Sequence, residues 1–159
     1  WHVSKTAIAL TTGQLYSTAG SHLAGTLGDG YRCVGSAFHH GDYLAITDKE
    51  SRPDDVVSAL PAPLDSIEDH LERYATEIGA FELLCDFRSA LENENQLPWG
   101  ATPTMNIGEA GHPTTVEETF TRQQPHEQFD ALYFSRNTTP ISILPEYYKF
   151  HANRCRKDE

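Results

Sequence analysis

The chain has 159 residues, and 23 Asp and Glu against 12 Lys and Arg give a formal charge of −11 with eight His neutral. That length suits a single domain spanning 1–159, with a polar tail from about residue 151. The acidity argues against nucleic acid or an anionic membrane surface as partner, since both require clustered Lys and Arg, and no stretch approaches the roughly 18 apolar residues of a spanning helix.

The chain opens at Trp1 and its single Met is Met105. This points to a processed chain, either cytoplasmic or secreted, with the compartment left open. The cysteines, Cys33, Cys85 and Cys155, are far apart and form no CxxC pair. A thiolate zinc site is therefore unsupported. No metal set and no cofactor is assigned.

In chain order, Val3, Thr6, Ile8, Leu10, Thr11 and Thr12 favour a strand within 3–18, broken near Gly13. Gly20, Gly25, Gly28 and Gly30 then predict a loop over 19–30. That cluster matches neither a phosphate loop nor a dinucleotide fingerprint, because the Lys and the G-x-G-x-x-G order are both missing. Residues 31–47 read as a hairpin. Its arms are Tyr31–Phe38 and Tyr43–Thr47, and His39-His40-Gly41-Asp42 forms the turn. A polar connection follows over 48–64, with one helical turn at 56–60.

The strongest signal starts at Asp65. An Asp followed three positions later by Glu68, just after Pro61 and Pro63, is a capping pattern. Ile67, Leu71, Tyr74, Ile78, Phe81 and Cys85 then recur at steps of four and three, which predicts one amphipathic helix from 65 to about 94. Gly79 marks a kink or a split in it. This stretch holds nine acids against Arg73 and Arg88. Residues 96–115 read as a long loop around Trp99, 114–118 as a short helix, and 129–136 and 140–150 as strands. Strands, a long helix, then strands define the α+β class. The expected architecture is a mostly antiparallel sheet with one long amphipathic helix packed on a face.

Two groups carry candidate chemistry. His39, His40 and Asp42 combine imidazoles, which titrate near neutrality, with a carboxylate able to fix a tautomer. His126 and Glu127 offer a second imidazole–carboxylate pair. Asp130 occupies the position where a zinc protease needs its second His, which argues against that chemistry. The leading expectation is a small-molecule binder or enzyme, of the hydrolase or lyase kind. It would use His/carboxylate acid–base chemistry in a loop-lined pocket, with His39, His40, Asp42, His126 and Glu127 as catalytic candidates. The alternatives are an acidic module that engages a basic protein through helix 65–94, as an inhibitor or immunity protein does, or an oligomerising structural subunit, since a homo-oligomer is compatible with the apolar stripe.

Overall fold

The computed structural model describes residues 3–9, 14–45, 55–90, 100–105, 119–140 and 142. Thirteen elements occur among them: β1 (Ile8–Ala9), β2 (Leu15–Tyr16), α1 (Ala19–Leu27), a 3-10 turn (Gly28–Gly30), β3 (Val34–Ala45), β4 (Asp55–Ser58), α2 (Ile67–Ile78), β5 (Glu82–Asp86), α3 (Phe87–Ala90), β6 (Thr102–Met105), β7 (Phe120–Gln123), α4 (Pro125–Gln128) and β8 (Ala131–Thr138). The class is α+β, as the residue pattern requires. The main sheet is mixed: its order is β4-β3-β8-β5, and its central pair, β3 and β8, runs parallel, while the two outer pairings are antiparallel. Two two-stranded ribbons, β1–β2 and β6–β7, complete the described strands.

The glycine-rich stretch 19–30 is a helix, not a loop. Thr18 caps it: Oγ1 accepts the Ser21 N–H at 2.9 Å, and the same hydroxyl donates to Ser4 O at 2.6 Å. One side chain thus starts the helix and ties it to the N-terminal segment.

The expected hairpin is also absent. Residues 34–45 form one continuous strand, because Gly41 adopts φ +122 and bends the strand instead of reversing it. A Cβ at Gly41 would meet Thr138 O at 2.1 Å, so the close approach of β8 reinforces the need for glycine. The partner of Tyr43, Leu44 and Ala45 is β4, at Val57, Val56 and Asp55. The stretch expected to make a helical turn at 56–60 is therefore mostly strand.

The 65–94 helix is the largest correction. The longest described helix is α2, with 12 residues. Its N-cap is Ser66, whose Oγ accepts the Asp69 N–H at 3.1 Å, one residue later than the pattern suggests. Gly79, at φ 71, takes the left-handed position that ends the helix and returns its N–H to Ala75 O and Thr76 O. Beyond it the apolar residues belong to a strand, β5, which pairs antiparallel with β8. The buried face of α2 is Ile67, Glu68, Leu71 and Ala75. Tyr74, Ile78 and Phe81, counted in the predicted stripe, are exposed.

Ile67, Leu71 and Ala75 of α2 pack on one face of the sheet. There they form a core with Cys33, Ala37, Phe87, Phe129, Leu132 and Phe134. The 129–136 strand prediction matches β8 closely. The predicted 114–118 helix lies outside the described residues, as does nearly all of the 140–150 strand. Of the 96–115 loop, residues 102–105 are strand β6. Among the described residues no helix is long and apolar enough to cross a membrane.

Candidate functional site

The parallel register of β3 and β8 sets Phe38 beside Ser135 and His40 beside Asn137. Side chains alternate along each strand. Cys33, Gly35, Ala37 and the half-buried His39 therefore face the core side, as do Leu132, Phe134 and Arg136 of β8. At this end of the sheet α2 brings Glu72 and Thr76 over the strands. Arg136 donates from Nε to Glu72 Oε1 and Oε2 at 3.0 and 3.1 Å, and from Nη2 to Glu72 Oε1 and to Thr76 Oγ1. The guanidinium also lies 5.7 Å from the Phe81 ring centre. Burial alone would raise the Glu72 carboxyl. The Arg136 hydrogen bonds and charge, with smaller help from His39 and Thr76, reverse that and hold it below the usual value.

His39 and His40 meet at this corner. Their Nδ1 atoms are 3.2 Å apart and their rings stand edge to face at 88°. A hydrogen bond between two Nδ1 atoms needs one donor and one acceptor. The acceptor ring is therefore neutral, with its proton on Nε2. A neutral donor ring leaves its Nε2 lone pair open, as a general base requires.

Asp42 turns to the neighbouring strand, where Ser58 Oγ donates to its Oδ1 at 2.6 Å across the β3–β4 pair. His126 and Glu127 are not brought to the His39–His40 corner. They sit on α4, which runs directly into Asp130, and Asp130 accepts the Cys33 N–H at 2.9 Å through Oδ2. Six residues of extended strand separate Cys33 from His39, roughly 20 Å. The five candidates thus fall at two ends of the β3–β8 pair. Glu72 and Arg136, the charged residues that flank His39, were not singled out from sequence: they lie 64 positions apart, and nothing local links them.

The end holding Asp130 is a structural clamp. Lys5 Nζ bonds Asp130 Oδ1 at 3.0 Å, and Cys33 Sγ donates to Gln128 O at 3.3 Å. Burial would raise the Asp130 carboxyl, but the Cys33 N–H and Lys5 outweigh it and lower the value. Elsewhere, Glu68 is 1% exposed, with Oε1 accepting the Met105 N–H at 2.9 Å and Oε2 without a hydrogen-bond partner among the described residues. Burial pushes its carboxyl up to about 7 against the opposing hydrogen bonds of Met105, its own N–H and Ser66. Among the described residues, no three His, Cys, Asp or Glu side chains converge as a metal set.

Fold and sequence together define an α+β chain built on a mixed sheet with a histidine pair at one corner. The erythromycin esterase family model matches residues 1–138, and the chain belongs to that family. A solved Bacillus cereus protein superposes with a TM-score of 0.69 at 18% identity, covering 90% of this chain and 33% of that one. A solved succinoglycan biosynthesis protein superposes at 0.54, also at 18% identity, covering 77% of this chain and 28% of that one. At that identity the likeness is one of fold. The chain spans about a third of the length of the Bacillus cereus protein. No curated protein matches the chain significantly.

Proposed function

We propose that the chain forms part of a hydrolase that opens an ester bond in a small molecule. The observation that carries this reading is the family match across residues 1–138. In this reading His39 and His40 move the proton. One ring accepts it from water while the other, bonded through Nδ1, holds the tautomer. Glu72 and Arg136 supply a fixed, nearly neutral wall beside His39, and Asp42 pins the strand that carries the pair. His126 and Glu127, on α4, stand apart from this pair.

The test is incubation of the protein with erythromycin, followed by mass spectrometry for the gain of one water on ring opening, and with a simple nitrophenyl ester, followed by the absorbance of released nitrophenolate. Hydrolysis is expected, with His39→Gln and His40→Gln each lowering the rate by about 10²-fold or more. Hydrolysis that survives both substitutions removes the histidine assignment and leaves the hydrolase reading. No hydrolysis of either ester by the protein removes the hydrolase reading itself.

A further inference from the structure

A carboxyl group sealed inside a protein is normally answered by an opposite charge or by a full set of hydrogen bonds. Glu68 has neither. It lies in the first turn of α2, and residues of this chain alone cover it to 1% exposure. Its Oε1 accepts the Met105 N–H across 37 positions of sequence, while its Oε2 has no hydrogen-bond partner among the described residues.

That bond ends on β6. Among the described strands, β6 and β7 pair with each other and not with the main sheet. A two-stranded ribbon holds poorly by itself and depends on what it packs against. Here β6 lies on α2 and β7 on β1. Met105 and Phe120 are register partners at one end of the ribbon, and both are buried. Glu68 thus ties down the end of the ribbon whose apolar side chains are most in need of cover.

The charges nearby are committed elsewhere. β6 carries no titratable side chain, and Arg122 on β7 is exposed and donates to Ala101 O. Toward α2, β3 offers Cys33 and His39, β5 offers Cys85 and β8 offers Arg136. Burial pushes both thiols up and keeps them neutral. Arg136 is bonded to Glu72, on which His39 also acts. On the helix itself, Arg73 meets Asp65 and Asp69, and His70 lies by Asp65. Burial therefore governs Glu68, opposed by the Met105 N–H, its own N–H and Ser66.

We propose that Glu68 is a proton-operated latch: neutral, it holds the β6–β7 ribbon on α2, and ionised, it releases the ribbon end that carries Met105 and Phe120. With a proton on Oε2 the group is uncharged, and Oε1 keeps a lone pair for the Met105 N–H. Loss of the proton leaves a charged oxygen that neither a donor nor water reaches. Opening of the ribbon admits water, so the open form gains as pH rises. The folded value of about 7 exceeds the ordinary 4.5, so the hold is complete below 4.5 and is lost as pH rises through 7. Glu72 follows one helical turn later, so the latch works beside the histidine corner whatever reaction that corner performs.

The test is amide hydrogen exchange of the 159-residue chain from pH 5 to pH 8, read by mass spectrometry on peptides of β6 and β8 and corrected for the intrinsic rate. Protection of β6 should fall by on the order of 50-fold over that range, the ratio set by carboxyl values of about 7 closed and 4.5 open. It should also lie below that of β8 throughout, because the opening is local. Glu68→Gln keeps an acceptor for the Met105 N–H and never ionises, so its β6 protection should stay level. Carbon-13 NMR titration of the Glu68 carboxyl needs no variant and should give a midpoint near 7. One common protection for β6 and β8 at pH 8 means whole-chain unfolding and overturns the proposal. A β6 pH course shared by both proteins overturns it too, as does a carboxyl midpoint near 4.5.

Discussion

Arg136 on β8 and Glu72 on α2 meet edge to edge, with the guanidinium Nε bridging both carboxylate oxygens at 3.0 and 3.1 Å. Both side chains are more than two thirds buried, at 28% and 16% exposure. A bidentate pair with this burial fixes geometry as well as charge. It fastens the last turns of the helix to an inner strand of the sheet, and it does so beside His39.

Arg136→Met should therefore lower the urea midpoint at pH 7. The pH dependence separates charge from packing. Glu72 ionises below its ordinary 4.5 in the folded chain, so its contribution is present above 4.5 and is lost as pH falls through the lowered value. The gap between the two proteins should close over that acidic range. A gap that stays constant would mean the arginine stem, not the ion pair, carries the effect.

Glu68 behaves in the opposite sense. Its folded value of about 7 exceeds the ordinary 4.5, so its contribution is complete below 4.5 and is lost as pH rises through 7. Glu68→Gln keeps an acceptor for the Met105 N–H and removes the charge. It should match the wild type near pH 4.5 and exceed it at pH 8 by on the order of 2–3 kcal/mol in chemical denaturation. Equal differences at the two pH values would show that the carboxyl does not carry a buried charge.

Two glycines of α1 should respond with opposite signs to alanine. At Gly20 a Cβ would meet Val3 O at 2.1 Å, whereas at Gly25 nothing lies within 4 Å. Gly20→Ala should destabilise by about 1–3 kcal/mol, because backbone and not a side chain must move. Gly25→Ala should stabilise by up to about 1 kcal/mol through helix propensity. Thermal melting of the pair decides it, and a common sign would refute the close approach of α1 to the N-terminal segment.

The cap of α2 can be assigned in the same way. Ser66→Ala should cost about 1 kcal/mol, since it removes the acceptor of the Asp69 N–H. Asp65 sits at φ 62, outside the helix, so Asp65→Gly should change stability by less than about 0.5 kcal/mol. If the larger loss followed the Asp65 substitution, the cap would lie one residue earlier.

What could be read from the residues depended on how local the cause was. The start of α2 was legible to within a residue and β8 to within two, because caps and alternating apolar residues act within a few positions. Gly79 was correctly singled out as a break. The prediction nonetheless continued the helix past it, because Phe81 and Cys85, the latter in β5, fall by accident on a helical spacing. Tyr74, Ile78 and Phe81 kept that rhythm going although they face solvent. The helix α1 was hidden by its glycines. Its cause is Thr18 bonding to Ser4, 14 residues away. The candidate site divides on the same line: His39 and His40 stood out as neighbours in sequence, whereas Glu72 and Arg136 reach them only through the α2–β8 packing.

The strand Val34–Ala45 keeps register with β8 over its first part and with β4 over its last. One inserted or deleted residue inside it would turn every later side chain to the other face. Neither end has slack to absorb the slip, because Val34 is matched to Ala131 and Ala45 to Asp55. Length in this stretch is thus a shared specification for both neighbours, so the family should vary there by substitution and place its insertions elsewhere.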